Sequence, residues 1–502
     1  MTSAAESPSI ADLLQTAARR RSEAIALVVT ADRTPITYGD LVRFVDDLAG
    51  QLTQAGLQPG DRVALRAPSS AEFVVGLLAA SAAGLVAVPL DPALPVAEQR
   101  ARVTATGARV VLVDAAETGE PPFPCWRVSL TENAVHLDPT PAPSPTSDTP
   151  EGLRADDALI MFTGGTTGSP KLVPWTHDNI ACSIRGVVGT YGLGPDDATV
   201  AVMPLFHGHG LIAALLSTLA SGGRVLIPAG GRFSAHTFSD DVRAAHATWF
   251  TAVPTIHQIV LQRTETEQPS LRFLRSCSAA LSPETARELR ARFAAPVLSA
   301  YGMTECTHQV SSTSDDHTEL PSGLVGRSTG AQIQIVGDDG HSLPPGAVGE
   351  VWVRGRTVVR GYLGNAEATA STFTDGWLHT GDLGSLSDQG ELTLRGRIKE
   401  LINRGGEKIS PERVEGVLAS HPKVVEAAVF GVPDPLYGET VAAAIVPDPS
   451  ATPTTAELIE FCSERLARFE VPADITLTGE LPHTAKGSID RRAVAQQFGS
   501  GD

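Results

Sequence analysis

The chain has 502 residues, enough for about three average domains or one large and one small. Its formal net charge of −18, with no Lys/Arg block, argues against a nucleic-acid partner, so an anionic substrate must be drawn in by local positive charge. Five cysteines, at 125, 182, 277, 306 and 462, form no Cys-x-x-Cys pair, which argues against a disulfide framework or zinc site and suits a reducing cytoplasm.

The first residues, Met-Thr-Ser-Ala-Ala-Glu, do not read as a secretory signal. Residues 8–57 read as two helices around a short hairpin, with apolar residues at helical spacing over 10–21 and 37–54 and a strand at 25–29. The stretch 73–90 carries no charge and approaches the length of a bilayer span. Its Ala and Gly content, with Pro89 near its end, predicts a core helix over 70–83 turning at Gly84 into a buried strand, and no membrane partner. Pro95 opens a helix reaching residue 106, and 109–113 is a strand. This β–α–β rhythm predicts a parallel sheet covered by helices. The Pro/Ser-rich stretch 139–150 reads as an exposed loop within a domain.

The rhythm continues with strands at 199–203, 224–227, 248–251, 273–276 and 296–299, and helices at 211–219, 234–245, 255–263 and 283–292. From Gly323 to Gly384 short strands and turns predict a compact β subdomain. Beyond Gly396 the pattern is a small α+β unit: helix 411–420, strands 424–430 and 440–446, helix 455–468, strand 473–477 and a polar tail. The predicted fold class is α/β, with a large N-terminal domain, 1–396, of parallel-type sheets plus a β subdomain, and a small α+β C-terminal domain, 397–502. No internal repeat is evident.

One stretch carries chemistry in its composition. A buried-strand run, 158–162, leads into Thr163-Gly-Gly-Thr-Thr-Gly-Ser-Pro-Lys171. Gly164, Gly165 and Gly168 accept positive φ, so successive N–H groups can turn inward as an anion-binding concavity. The hydroxyls of Thr163, Thr166, Thr167 and Ser169 add donors, and Lys171 adds a charge. The Gly-Lys-Ser/Thr of a Walker A loop is missing. A flexible Gly/Thr linker is the plain alternative. The strand before the loop and the Pro-Lys that closes it favour a polyphosphate site.

Four stretches then fall into one pattern: this loop, Tyr301-Gly-Met-Thr-Glu305, Gly376-Trp-Leu-His-Thr-Gly-Asp382 and Gly396-Arg-Ile-Lys-Glu-Leu-Ile-Asn-Arg-Gly-Gly-Glu-Lys-Ile-Ser-Pro411. In this order, over nearly the whole chain, they resemble the adenylate-forming superfamily of acyl-CoA synthetases, adenylation domains and luciferases. Within it, Met203-Pro-Leu-Phe-His-Gly-His-Gly210, Ala229-Gly-Gly-Arg-Phe-Ser234, Thr248-Trp-Phe-Thr-Ala-Val-Pro-Thr-Ile-His257, Leu274-Arg-Ser-Cys-Ser-Ala279 and Met303-Thr-Glu-Cys-Thr-His308 resemble oxalate–CoA ligases most. The resemblance implies ATP, Mg²⁺ and coenzyme A, and two half-reactions: an acid and ATP give an acyl-AMP, then a thiol displaces AMP. It implies that the 163–171 loop cradles the β- and γ-phosphates, Thr304 meets the α-phosphate and Glu305 holds the metal. It further implies that Tyr301 stacks on adenine, Asp382 accepts the ribose hydroxyls, Arg397 supports ribose and phosphate, and the C-terminal domain is mobile about Lys399. Alone, Glu305 could be a helix-capping acid and Asp382 a turn residue; the joint pattern favours the functional roles.

Three histidines bear on the acid. His207 and His209 flank Gly208, and His308 follows Glu305 by three. An H-x-H pair invites a metal, but no third ligand stands at the usual spacing. A small diacid leaves a second carboxylate buried, and that charge needs donors. His207, His209, Arg275, Ser278 and His308 are the candidates, His207 also as a catalytic group. A fatty-acid tunnel has no use for three histidines, so a short polar acid is expected. Arg404-Gly-Gly-Glu-Lys408 resembles the loop lining the pantetheine channel of CoA ligases, which favours coenzyme A as acceptor.

One departure stands out. The superfamily's C-terminal lysine lies in a pattern like Thr-Ala-Ser-Gly-Lys-Ile-x-Arg-Arg, whereas residues 484–492 read Thr-Ala-Lys-Gly-Ser-Ile-Asp-Arg-Arg. Ser488 stands where the lysine belongs. Lys486 lies two positions earlier, on the same side of an extended segment, and is the candidate catalytic lysine. Gly164, where the superfamily usually has serine, is a milder departure. Three alternatives stay open: activation of an unusual acid such as nitrite for attack by an amine, as in ATP-dependent diazotases; a different acyl acceptor with no coenzyme A step; and a nucleotide-binding pseudoenzyme, against which Glu305, Asp382 and Arg397 argue. The oligomeric state is left open.

Overall fold

The computed structural model describes residues 8–29, 34–115, 125–140, 142, 144, 149–163, 170–263, 270–483 and 489–499. The apolar run 73–90 folds as its composition predicts. Ser70 caps the helix Ala71–Ala82 by accepting the Phe73 N–H at 3.1 Å, a contact worth about 1 kcal/mol. Gly84 then takes φ +69, and the strand Val86–Leu90 is buried throughout. No helix among the described residues is long and apolar enough to cross a membrane.

That strand belongs to a seven-stranded sheet in the order Val135–Asp138, Cys125–Leu130, Val110–Asp114, Arg62–Arg66, Val86–Leu90, Asp157–Phe162, Leu172–Thr176. The inner five strands are parallel and the outermost pairings antiparallel. Parallel strands covered on both faces read as unbroken Val/Leu runs, which is why they were visible in the sequence. The hairpin 125–138 and the helix His177–Tyr191 were not predicted. The helix starts at a capping box between Thr176 and Asn179.

A second sheet carries fourteen strands among the described residues. Its parallel part runs from Ile25–Val29 through Arg224–Leu226, Ala198–Val200, Trp249–Ala252 and Phe273–Ser276 to Val297–Met303. Val297–Met303 is longer than predicted. Its first half pairs parallel with Phe273–Ser276, and its second half pairs antiparallel with His308–Ser312. Through that hairpin the sheet continues into Leu324–Ser328, Leu392–Arg397, Trp377–Leu386, Gly349–Arg354 and Gln332–Val336. The predicted β subdomain is therefore hydrogen-bonded into the main sheet rather than separate from it. The junction needs glycine: the register shifts between Tyr301 and Gly302, and a Cβ on Gly302 would lie 1.4 Å from the His308 carbonyl oxygen.

The C-terminal part has its own five-stranded sheet with the helices Pro411–Ala419, Thr455–Ser463 and Arg491–Phe498 packed on it. Two predictions are corrected here. The helix expected to reach 468 ends at Ser463, with Glu464 as its C-cap. The tail read as polar holds the helix Arg491–Phe498, capped by Asp490 and anchored by the buried Val494. In the N-terminal part, the helix predicted over 211–219 is a π-helix, His209–Leu216, followed by a single α-turn, Ser217–Ala220. Such wide turns cluster at functional sites, and this one starts at His209. Gly210 lets it begin tight against the preceding chain, since a Cβ there would lie 2.3 Å from the Pro204 carbonyl oxygen.

Candidate active site

Three clusters of predicted residues form around the second half of Val297–Met303. The first joins Tyr301, Asp382 and Arg397. Asp382 lies opposite Arg397 across neighbouring strands, the placement in which opposite charges stabilise a sheet. Arg397 Nε meets Asp382 Oδ1 at 3.0 Å, and the Tyr301 hydroxyl donates to Asp382 Oδ2 at 2.5 Å. Gly381, at φ +72, donates its N–H to Glu350, and Thr380 Oγ1 accepts the Asp382 N–H, so the turn before the carboxylate is held on both sides. Burial pushes the Asp382 carboxyl up from its ordinary value, and Arg397 and the Tyr301 hydroxyl pull it back. Burial and the adjacent Asp382 push the Tyr301 phenol well up.

The second cluster joins Lys171, Tyr362 and Glu305. The Lys171 ammonium sits 4.4 Å from the centroid of the Tyr362 ring, whose hydroxyl donates to Glu305 Oε1 at 2.9 Å. The Thr163 N–H donates to the Lys171 carbonyl at 3.3 Å, so the two ends of the Gly/Thr loop meet beside this carboxylate. Gly164, Gly165, Thr166, Thr167 and Gly168 lie outside the described residues, as do Lys486 and Ser488. Thr304 and Glu305 open a 3₁₀ turn that ends in two left-handed residues, Thr307 at φ +50 and His308 at φ +86. The Thr304 carbonyl accepts the Trp175 indole N–H at 2.8 Å. No group of three metal-ligating side chains exists among the described residues. Glu305 as a lone carboxylate near the ends of the Gly/Thr loop fits Mg²⁺, which is typically held by one or two carboxylates plus substrate phosphates.

The third cluster is the polar pocket. Arg275 is fully buried in the strand Phe273–Ser276. Its Nε–H donates to the Tyr191 hydroxyl at 2.8 Å and to Gln309 Oε1 at 3.2 Å. Nη1 donates to Thr251 Oγ1 at 2.8 Å and faces His209 Nε2 at 3.2 Å. Nη2 donates to Gln309 Oε1 at 2.9 Å and faces His308 Nε2 at 3.0 Å. Among the described residues no carboxylate stands within ion-pair distance of it. The imidazoles of His209 and His308 stack with centroids 5.3 Å apart. His209 Nδ1 lies 3.1 Å from Ser278 Oγ, and Ser278 holds φ +74, a backbone state a serine rarely adopts. Burial, then Arg275, holds both imidazoles well below their ordinary range.

The structure thus brings together four of the five predicted pocket residues. His207 is placed differently: its ring lies edge-on against Phe206, while Gly208 packs on Trp175 and the His308 Cβ side. Sequence reasoning missed Tyr191, Thr251 and Gln309, which hold Arg275, and Tyr362 and Trp175, which hold Glu305 and Thr304. Thr251 lies in the stretch 248–257 that carries the oxalate–CoA ligase resemblance, without a role assigned to it there, and the other four stand in no motif singled out for chemistry.

The model of the AMP-binding enzyme family matches residues 14–363, and that of the AMP-binding enzyme C-terminal domain matches residues 413–488. The oxalate–CoA ligase of Arabidopsis thaliana is 41% identical over 511 residues, covering 98% of this chain and 99% of the relative. A probable CoA ligase, CCL9 of Humulus lupulus, is 41% identical over 504 residues, covering 97% and 96%. The crystal structure of ATP-bound MatB from Rhodopseudomonas palustris superposes with a TM-score of 0.85 at 30% identity, covering 98% of this chain and 99% of that one. With both family models matched in order and full-length relatives at this identity, the chain belongs to the AMP-binding enzyme family and is an adenylate-forming ligase of the acid–CoA type.

Proposed function

We propose that this enzyme activates a short acid bearing a second anionic group, of the oxalate type, and hands its acyl group to coenzyme A. The observation that carries this reading is the pocket around Arg275: a sealed positive charge with only neutral partners, behind two imidazoles and a serine. An apolar tail gains nothing there. A second carboxylate finds donors and a counter-charge that offset its desolvation. The oxalate–CoA ligase relative supports the same acid class.

In this reading a carboxylate oxygen attacks the α-phosphorus of ATP and pyrophosphate leaves, giving the acyl-AMP. The thiol sulfur then attacks the acyl carbon, AMP leaves with the electron pair of the broken C–O bond, and the thiol proton passes to solvent. Two anions must meet in the first step, so the protein acts by neutralising and aligning more than by acid–base work. Asp382 accepts the ribose hydroxyls, the Tyr301 ring lies along adenine, and Arg397 reaches ribose and phosphate. The Gly/Thr loop and Lys171 hold the β- and γ-phosphates, and Thr304 donates to the α-phosphate. Mg²⁺, bound through Glu305, supplies charge neutralisation at the phosphate oxygens. In this reading His207 meets the reacting carboxylate.

An ATP–pyrophosphate exchange screen over oxalate, malonate, succinate, octanoate and nitrite, followed by thioester detection with coenzyme A, tests the reading. Preference for octanoate, or exchange with nitrite alone, overturns it. His308→Ala is expected to lower kcat/KM for the acid by about ten- to a hundredfold, the worth of one hydrogen bond to a charged group, while ATP affinity by calorimetry stays unchanged. Equal losses for both substrates would place His308 outside the acid pocket.

We further propose that residues 397–502 turn about Lys399 between the two half-reactions. Support comes from two ion pairs that bracket the junction: Arg397 with Asp382 on one side, and Glu400 with Arg491 on the other. Ile398 and Lys399 lie between them, in a short 3₁₀ turn. Lys399→Pro fixes φ at that point. Thioester formation should fail in this variant while pyrophosphate release survives, and loss of both steps together would contradict the hinge.

A further inference from the structure

Arg275 commits all five of its N–H groups to protein acceptors: Nε–H to Tyr191 and Gln309, Nη1 to Thr251 and His209, Nη2 to His308 and Gln309. A guanidinium has five donors and no acceptor, so none is left for a ligand. What it does to the two histidines is specific. Each terminal nitrogen faces the Nε2 atom of one imidazole, at 3.2 Å for His209 and 3.0 Å for His308. A donor facing Nε2 requires a lone pair there. Thr251 strengthens the requirement at His209: its hydroxyl accepts from Arg275 at 2.8 Å, so its own proton points along the 2.6 Å contact to His209 Nε2. The ring protons of both histidines are therefore displaced to Nδ1. From His209 that proton goes to Ser278 Oγ at 3.1 Å, which leaves the serine O–H to point onward. At His308, Nδ1 has no hydrogen-bond acceptor among the described residues, so its N–H is left for a ligand.

We propose that Arg275 is a positioning residue that locks His209 and His308 as neutral Nδ1–H tautomers, and that the His308 Nδ1–H and the Ser278 O–H are the two donors that grip the distal oxyanion of the acid. The proposal rests on the oxalate-type reading of the pocket for its ligand, but not for its tautomers. Two hydrogen-bond chains start at one buried cation and end in outward-facing protons. Each link polarises the next, so the positive charge is felt at the pocket wall without the guanidinium reaching it. The groups facing these rings are all neutral or cationic: Arg275, His257 and His207 around His209, Arg275 at His308, with Tyr191 and Cys277 beside the guanidinium. No carboxylate is there to recruit a second ring proton, so the donor pattern holds across neutral pH.

Three measurements test it. In ¹⁵N-histidine-labelled protein without any acid, the ring-nitrogen spectra, assigned by single His→Gln variants, should show protonated Nδ1 and bare Nε2 at both positions. A proton on Nε2 of either ring overturns the lock, whatever acid the enzyme uses. In the enzyme, His308→Asn keeps a donor near the Nδ1 position and should retain acid KM within about threefold. His308→Gln places its amide near Nε2 and should raise KM about tenfold or more. A glutamine variant equal to or better than the asparagine variant overturns the assignment. Finally, Arg275→Met removes the donors that face both Nε2 atoms, while burial still holds the imidazoles below their ordinary range. Its ring-nitrogen spectra should show a proton on Nε2 of at least one ring, and its acid KM should rise about tenfold. Parent-like tautomers with unchanged KM in a folded Arg275→Met overturn the positioning role. If that variant does not fold, the spectra of the parent protein still decide. Correct tautomers in an enzyme that ignores all short diacids would defeat the substrate reading and leave the tautomer lock standing.

Discussion

Asp382→Ala is expected to remove measurable ATP binding. The carboxylate is buried and answers to two strands at once, with Arg397 on Oδ1 and the Tyr301 hydroxyl on Oδ2. In the proposed role it also receives the ribose hydroxyls, each as a charge-assisted bond worth about 1.5–3 kcal/mol. Losing two such bonds weakens affinity by about two to four orders of magnitude. The variant also leaves a buried phenol without its acceptor, so its fold must be checked by circular dichroism before the titration is read. Asp382→Asn keeps the shape and removes the charge; an intermediate loss is expected for it. Calorimetry showing parent-like ATP affinity in a folded Asp382→Ala protein would remove this residue from the nucleotide site.

The second large effect concerns the displaced lysine. If Lys486 serves the role that Ser488 cannot, Lys486→Ala should slow adenylate formation by about a hundredfold or more, the cost of one transition-state donor. ATP affinity should change little, because the group acts on charge that develops during transfer. His483 and Ile489 pair in an antiparallel bridge on either side of the segment, and His483 also contacts Glu426 at 3.1 Å, so the segment is rooted at both ends. Ser488→Lys is expected to do nothing or to hinder, since two ammonium groups would crowd one site. The readout is pyrophosphate release alone, which isolates the first half-reaction. A silent Lys486→Ala combined with a faster Ser488→Lys would show that the charge is missing altogether.

Much of the scaffold was legible because burial on both faces leaves a simple mark: strands such as Val86–Leu90 and Val110–Asp114 are runs of apolar residues, and helices such as Tyr38–Gln54 and Ala71–Ala82 carry Thr or Ser caps. The π-helix was not, since His-Gly-Leu-Ile-Ala-Ala-Leu-Leu has the composition of an ordinary apolar helix and only the close approach of Gly210 to Pro204 betrays the wider turn. The motif residues gathered into clusters that local sequence could not have drawn. Arg275 is held by Thr251, Gln309 and Tyr191, at separations of 24, 34 and 84 residues from three different elements. Neutral side chains at such distances carry no signal in one sequence. The charge of Arg275 was therefore visible, while the fact that its donors are already committed was not.

Strand Val297–Met303 fixes a length. Leu298 pairs with Arg275, Tyr301 reaches Asp382, and Met303 pairs with His308. In the proposed roles one continuous backbone ties the acid site to the nucleotide site, at about 3.3 Å per residue with one register shift between Tyr301 and Gly302. In those proposed roles the span from the distal oxyanion to the phosphorus under attack is set by this rail, as the jaws of a caliper are set by its beam. An acid one methylene too long or too short must either miss the in-line approach or leave its far charge off its donors. A greasy pocket forgives a methylene at about 1–3 kcal/mol, whereas a site built on hydrogen bonds forfeits a paired charge as well. Across oxalate, malonate and succinate the turnover should peak at one chain length and fall steeply on the other side, with ATP affinity indifferent to which acid is present.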